Sequence, residues 1–218
     1  MVGRNGRTHG CALSANVRSI SAEWLSARKE LLTKEKMQPY AKENHGGNGK
    51  GKSMNFTQAP DIVTWPESHY VFVEKIGPFQ STAPQAWKDL HQLVPSISEH
   101  NKITGYMSLY KVGPKVYRAG VSLAAGPNDL PEGLQSTKIK GGKYSRFVLT
   151  GPYSGLPEAC GRVFEIVAET KIGLRDDYCI ENYVNDPRTT PKQQLITEIL
   201  IPTVQLVKDN AEHGGVRP

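Results

Sequence analysis

Cysteine is scarce in this chain. The 218 residues hold three, Cys11, Cys160 and Cys179, far apart and without a CxxC pair. That spacing excludes a disulfide framework and a cysteine zinc site. The six histidines are scattered, with no HxH or HExxH, and those such as His91 and His100 read as helix-surface residues. No metal and no cofactor is therefore expected. Apolar runs fall far short of a membrane span, so no membrane partner is expected either. Acidic residues are thin at the start. Residues 1–53 hold ten Lys+Arg against four Asp+Glu, while residues 54–218 hold seventeen of each. The net charge of +6 thus belongs to the first 53 residues. The remainder is neutral and gives no reason to expect a nucleic-acid surface.

Residues 1–53 read as a flexible basic extension. The pattern of residues 22–36 is compatible with a short amphipathic helix around Trp24, Leu25, Leu31 and Leu32, followed by a Gly-rich linker over 43–53. The Arg- and Ser-rich start resembles a transit peptide, but a disordered tail, or sequence upstream of a true start at Met37 or Met54, is the preferred reading. With no apolar signal segment, the protein is expected in the cytoplasm. Residues 208–218 read as a C-terminal tail.

From Met54 the patterning becomes regular. Ser68 to Ile76 predicts a strand, and Gly77-Pro-Phe a tight turn. A helix follows, capped by Thr82 with Gln85 closing a capping box, and its apolar stripe is Ala86, Trp87, Leu90, Leu93 and Val94. Ile103 to Val112 and Val116 to Leu123 are paired strands. Residues 124–142 connect. Then Lys143 to Thr150 is a strand and Gly151-Pro-Tyr a turn. Pro157 to Thr170 is a helix with Val163, Phe164, Val167 and Ala168 inward. Tyr178 to Val184 and Leu195 to Ile201 are strands, with one helical turn at residues 190–194. The two Gly-Pro-aromatic turns lie 74 residues apart, and Ser108 to Val112 matches Glu181 to Asn185 at a shift of 73. The expected fold is α+β: tandem duplicated β-α-β-β modules over about 60–125 and 140–204, within a 54–207 domain. A pseudo-two-fold axis relates them, and their free sheet faces or edges enclose a central groove.

The strand around Glu181 carries the candidate chemistry. Alternation puts Cys179, Glu181 and Tyr183 on one face, and Tyr106, Ser108 and Tyr110 on the matching face of the other half. Spacing alone favours a solvated face for Glu181, while the tyrosines read equally well as ordinary sheet content or as pocket walls. If these faces instead line the groove, it holds three tyrosines and one carboxylate. Such a site suits flat, apolar or cationic molecules.

The two strand-Gly-Pro-aromatic-helix units, with Glu181-Asn-Tyr-Val-Asn-Asp-Pro187 and Thr190-Pro-Lys-Gln-Gln-Leu-Ile-Thr-Glu-Ile-Leu-Ile-Pro202, resemble the GyrI-like small-molecule-binding domain, also called the AraC-type effector-binding domain. The likeness runs from about residue 60 to 204. It implies two β-α-β-β modules around a groove, with Glu181 in the ligand pocket. Members include ligand-sensing halves of transcription regulators, gyrase-inhibitory proteins, multidrug binders and hydrolases of cyclopropane-bearing DNA-alkylating natural products. Residues 1–53 are too short and Gly-rich for a helix-turn-helix, and Ile180 stands where an aromatic is typical. A stand-alone small-molecule binder ranks first, with Glu181, Tyr183, Tyr106, Tyr110, Ser108 and Cys179 as ligand-binding residues. Second is a hydrolase with Glu181 as catalytic base and Tyr110 or Tyr183 as donor. A gyrase-inhibiting interaction protein ranks third.

Overall fold

The computed structural model describes residues 55–204. The 1–53 extension, its 22–36 helix and linker, and the 208–218 tail lie outside the described residues. No described helix is long and apolar enough to cross a membrane.

Nine strands form one antiparallel sheet: β1 (Asn55–Phe56), β2 (Asp61–Trp65), β3 (Ser68–Ile76), β4 (Ile103–Lys111), β5 (Val116–Leu123), β6 (Gln135–Ile139), β7 (Gly142–Thr150), β8 (Cys179–Tyr183) and β9 (Ile196–Pro202). Their order is β1-β7-β9-β8-β4-β5-β3-β6, with β2 also on β7. Two helices, α1 (Phe79–His100) and α2 (Leu156–Glu169), follow β3 and β7. The path β3-α1-β4-β5 places its strands in the order β3-β5-β4, and β7-α2-β8-β9 places its own as β7-β9-β8. The fold is thus α+β, and the two halves join edge to edge where β4 pairs with β8.

Both helices cover the same face. Ala86, Leu90 and Ile97 of α1 and Ala159, Val163 and Ile166 of α2 pack into one core with Val71, Val121, Phe147 and Ile199. The opposite face has its own apolar layer, built on Tyr70, Phe72, Met107, Leu109, Ile180 and Leu200. There the Tyr70 ring lies flat across β5, sharing its hydroxyl hydrogen between the Met107 and Arg118 carbonyls at 3.0 Å each. Gly120 makes room for it, since any Cβ there would run into that ring and the Val71 carbonyl. Arg118 completes the layer, its guanidinium stacked 4.4 Å from both the Phe72 and Tyr178 rings while pairing with Glu74 at 2.7 Å.

The two Gly-Pro turns behave alike. Gly77 (φ +141°) and Gly151 (φ +145°) sit where a side chain would be strained, and each delivers the chain into a helix. Several expectations need correction here. Thr82 is not a helix cap: α1 begins earlier, at Phe79, and the Thr82 hydroxyl donates back to the Pro78 carbonyl at 3.0 Å. Gln85 closes no capping box and instead donates to Asp89 at 2.6 Å. Helix α1 also runs through Pro95 to His100, because Ile97, fully buried, extends the apolar stripe. Within residues 124–142, which are more than a connection, Gln135–Ile139 adds β6 to β3. Its side chains are mostly exposed, so it has no alternating apolar pattern to betray it. Ala168 is exposed, and Ile166 takes the inward place instead.

Candidate functional site

The seam between the halves is the pairing of β4 with β8. Its register sets Tyr106 opposite Tyr183, Ser108 opposite Glu181, and Tyr110 opposite Cys179. All six candidate residues therefore point to one face, the helix-bearing one. Over that seam a groove of about 2600 Å³ opens between α1 and α2. It exceeds the roughly 300–1000 Å³ of a drug-sized pocket. The site thus lies on the face the helices flank, rather than between two uncovered sheet faces.

Glu181 is 9% exposed on the groove floor. Ser108 Oγ and Tyr183 Oη both donate to its Oε2 at 2.9 Å, and Cys160 Sγ donates to its Oε1 at 3.4 Å. Ser108 is completely buried beneath the carboxylate, so it holds Glu181 and does not line the groove, unlike the five other candidates. Among the described residues no basic side chain pairs with Glu181. The groove's own arginines and Lys111 are engaged elsewhere. Lys111 meets Asp176 at 2.8 Å, Arg175 meets Asp177 at 3.1 Å, Arg188 meets Asp186 at 2.6 Å, and Arg162 meets Glu165 at 3.0 Å. The floor therefore carries a carboxylate satisfied by hydrogen bonds but with no cation against it.

Aromatic rings wall the site in a repeated arrangement. Phe79 meets Tyr110 edge-on (5.7 Å, 75°), and Tyr153 meets Tyr183 edge-on (5.2 Å, 74°). Each pair joins the aromatic of a Gly-Pro turn to a tyrosine of the seam. Trp87 reaches over from α1 to stack edge-on against Tyr183 at 5.2 Å and donates its indole N–H to Tyr117 Oη at 3.0 Å. The sequence reading missed Phe79, Trp87, Tyr117, Tyr153 and Cys160 as site residues. The repeated turn was the available signal for Phe79 and Tyr153. Trp87 was read only as part of an apolar stripe.

Burial pushes the Tyr183 and Tyr117 phenols and the Cys160 and Cys179 thiols up, and the negative charge of Glu181 adds to it. These neighbours stay protonated, and two of them, Tyr183 and Cys160, donate to Glu181. Among the described residues no cluster of three His, Cys, Asp or Glu side chains could hold a metal ion.

Against known proteins, no curated protein matches the chain. Among solved structures, the EcmrR C-terminal domain superposes with a TM-score of 0.55 at 17% identity, covering 70% of this chain and all of that one, 100%. EcmrR in its cryo-EM complex with DNA gives 0.55 at 16% identity, over 87% of this chain and 67% of that one. SAV2435 bound to tetraphenylphosphonium gives 0.54 at 14% identity, over 71% and 99%. At these identities the likeness is one of fold. The sequence match is to the profile of the GyrI-like small molecule binding domain, and it spans residues 58–204, which hold both halves of the sheet, both helices and the groove between them. The chain belongs to the GyrI-like small molecule binding domain family.

Proposed function

We propose that the groove binds a bulky apolar or aromatic molecule carrying positive charge, with Glu181 as the carboxylate that faces that charge. The observation behind this reading is Glu181 itself: buried, free of any basic partner among the described residues, and ringed by aromatic edges and faces. A buried carboxylate is costly, and a cation with aromatic substituents offsets that cost while stacking on the walls. SAV2435, of the same fold, is bound to tetraphenylphosphonium. That ligand supports the class and does not name the natural one.

The test is calorimetric titration with tetraphenylphosphonium beside neutral triphenylphosphine oxide. Glu181→Gln is expected to weaken the cation by about 1–3 kcal/mol, the worth of a charge-assisted contact, and to leave the neutral compound unchanged. Equal affinities for both compounds in the native protein would return Glu181 to a purely structural part.

A hydrolytic reading has one observation in its favour: Tyr183 Oη and Glu181 Oε2 lie 2.9 Å apart, a donor beside a base. It requires turnover. Trace protein with excess cyclopropane-bearing alkylator would then release many water adducts per chain, and a binder would return at most one ligand per chain unchanged.

A further inference from the structure

Cys160 lies in the second turn of α2, partly exposed and on the groove wall. Its thiol points to a functional group: Sγ donates to Glu181 Oε1 at 3.4 Å, and the Tyr110 hydroxyl is 4.0 Å away. The other described thiol, Cys179, is almost fully buried in the floor. A nucleophile, a carboxylate that accepts its hydrogen, and a phenol therefore converge at the wall of a cavity open to ligands. Binding of a reversible cation uses the carboxylate but not the thiol beside it.

We propose that Cys160 is a covalent capture site for α,β-unsaturated carbonyl compounds that enter the groove. This rests on the groove being a ligand site. In the step, the sulfur attacks the β-carbon, an S–C bond forms and the C=C π bond breaks. The thiol proton passes to Glu181 Oε1 as the electron pair moves onto the carbonyl oxygen, giving an enolate. Tyr110 is a donor available to that oxygen. Glu181 then returns the proton to the α-carbon, so the adduct is a neutral thioether and the carboxylate is regenerated. No oxidant or further reactant is needed.

The thiol is held protonated by burial and by Glu181, while the Tyr110 hydrogen bond works the other way. A free thiolate is thus not the attacking species. Reaction depends on a base at hydrogen-bond distance, and Glu181 is that base. The same feature makes the site selective. Small charged alkylators that need a thiolate gain nothing there, whereas an aromatic enone is held by the walls beside a base.

The test uses the full chain with C11S, so that thiol counting is confined to Cys160 and Cys179. It is incubated with the aromatic enone 4-phenylbut-3-en-2-one, and intact mass and peptide mapping follow the adduct. One enone per chain is expected, on Cys160, absent in C160S and suppressed by tetraphenylphosphonium. Glu181→Gln is expected to slow adduct formation by about 100-fold, the range of a positioned general base. Since Glu181→Gln could also disturb the fold, the native rate is measured against pH as well. A base-assisted thiol gives a rate nearly flat across about pH 7–9, whereas a thiolate gives about tenfold per unit. No adduct, an adduct shared equally with Cys179, or a rate that climbs with pH would overturn the proposal. Tetraphenylphosphonium affinity measured in the same samples separates the two readings: an intact cation site with no adduct removes the capture and leaves the binding.

Discussion

At the scale of single residues, the site is built around a carboxylate that the strand register places opposite a serine. Ser108 and Glu181 are cross-strand partners, and such pairs face each other at close range in an antiparallel sheet. Their closeness explains why a buried carboxylate is tolerable, since Ser108 satisfies Oε2 from below while Tyr183 does so from the side. Ser108→Ala removes one donor from a group that water cannot readily reach. Urea unfolding is expected to show a loss of about 1.5–3 kcal/mol, the range for a hydrogen bond to a charged group. An unchanged midpoint would mean that solvent already reaches Oε2. The pairing was half legible in the sequence. The shift of 73 between the repeats aligned Ser108 with Glu181, and alternation put their neighbours on a common face. That the two would be adjacent on paired strands was not legible, because alignment of a repeat says which residues correspond and not which strands meet.

At the scale of elements, the helices were read well in their centres and poorly at their ends. Neither Pro84 nor Pro95 marks an end of α1: both lie inside the helix, which begins at Phe79. Pro95 removes one helical hydrogen bond, yet the chain stays helical to His100 because Ile97 is buried beside Ala86 and Leu90. Tertiary packing outweighed a local breaker. Ile97→Ala is expected to cost about 2–5 kcal/mol in denaturant unfolding, the range for emptying a packed core position. A near-neutral result would place the residue in a frayed end, where the prolines alone would have left it. Strand β6 shows the opposite case. Without an apolar alternation its residues carry no strand signal of their own, and pairing with β3 makes them a strand. The loop after β8 is legible again. Asn185 donates to the Gln194 carbonyl and accepts from the Ile196 amide, both at 2.9 Å, which is turn chemistry written in the Asn-Asp-Pro motif.

At the scale of the whole molecule, the two halves share one buried tyrosine layer on each side of the sheet. Burial is the largest cause that pushes up Tyr70, Tyr110, Tyr117 and Tyr183, and it takes Tyr144 to about 12. These folded-state values stand above the ordinary 10.0. The folded protein therefore holds protons that the unfolded chain releases at high pH. Stability from these groups is complete below pH 10 and is lost as pH rises from there through the folded values. Alkaline titration is expected to show tyrosinate absorbance from these side chains appearing together with loss of far-UV circular dichroism, in one transition. Tyrosinate from the buried set well before the fold is lost would show that the layers are open to solvent.

Composition, the repeated Gly-Pro-aromatic turns and the alternation around Glu181 were enough to determine an α+β chain, the family it belongs to and the residues worth watching. Those are local properties: backbone strain at a glycine, periodicity along a strand, and turn chemistry are all written within a few residues. Only the tertiary structure decided that β4 and β8 meet edge to edge and that both helices share one face. It also brought Trp87, Tyr117 and Cys160, from elements distant in sequence, around one carboxylate. A site assembled across a seam between halves depends on register and packing between segments far apart in the chain, and no short-range pattern carries that information.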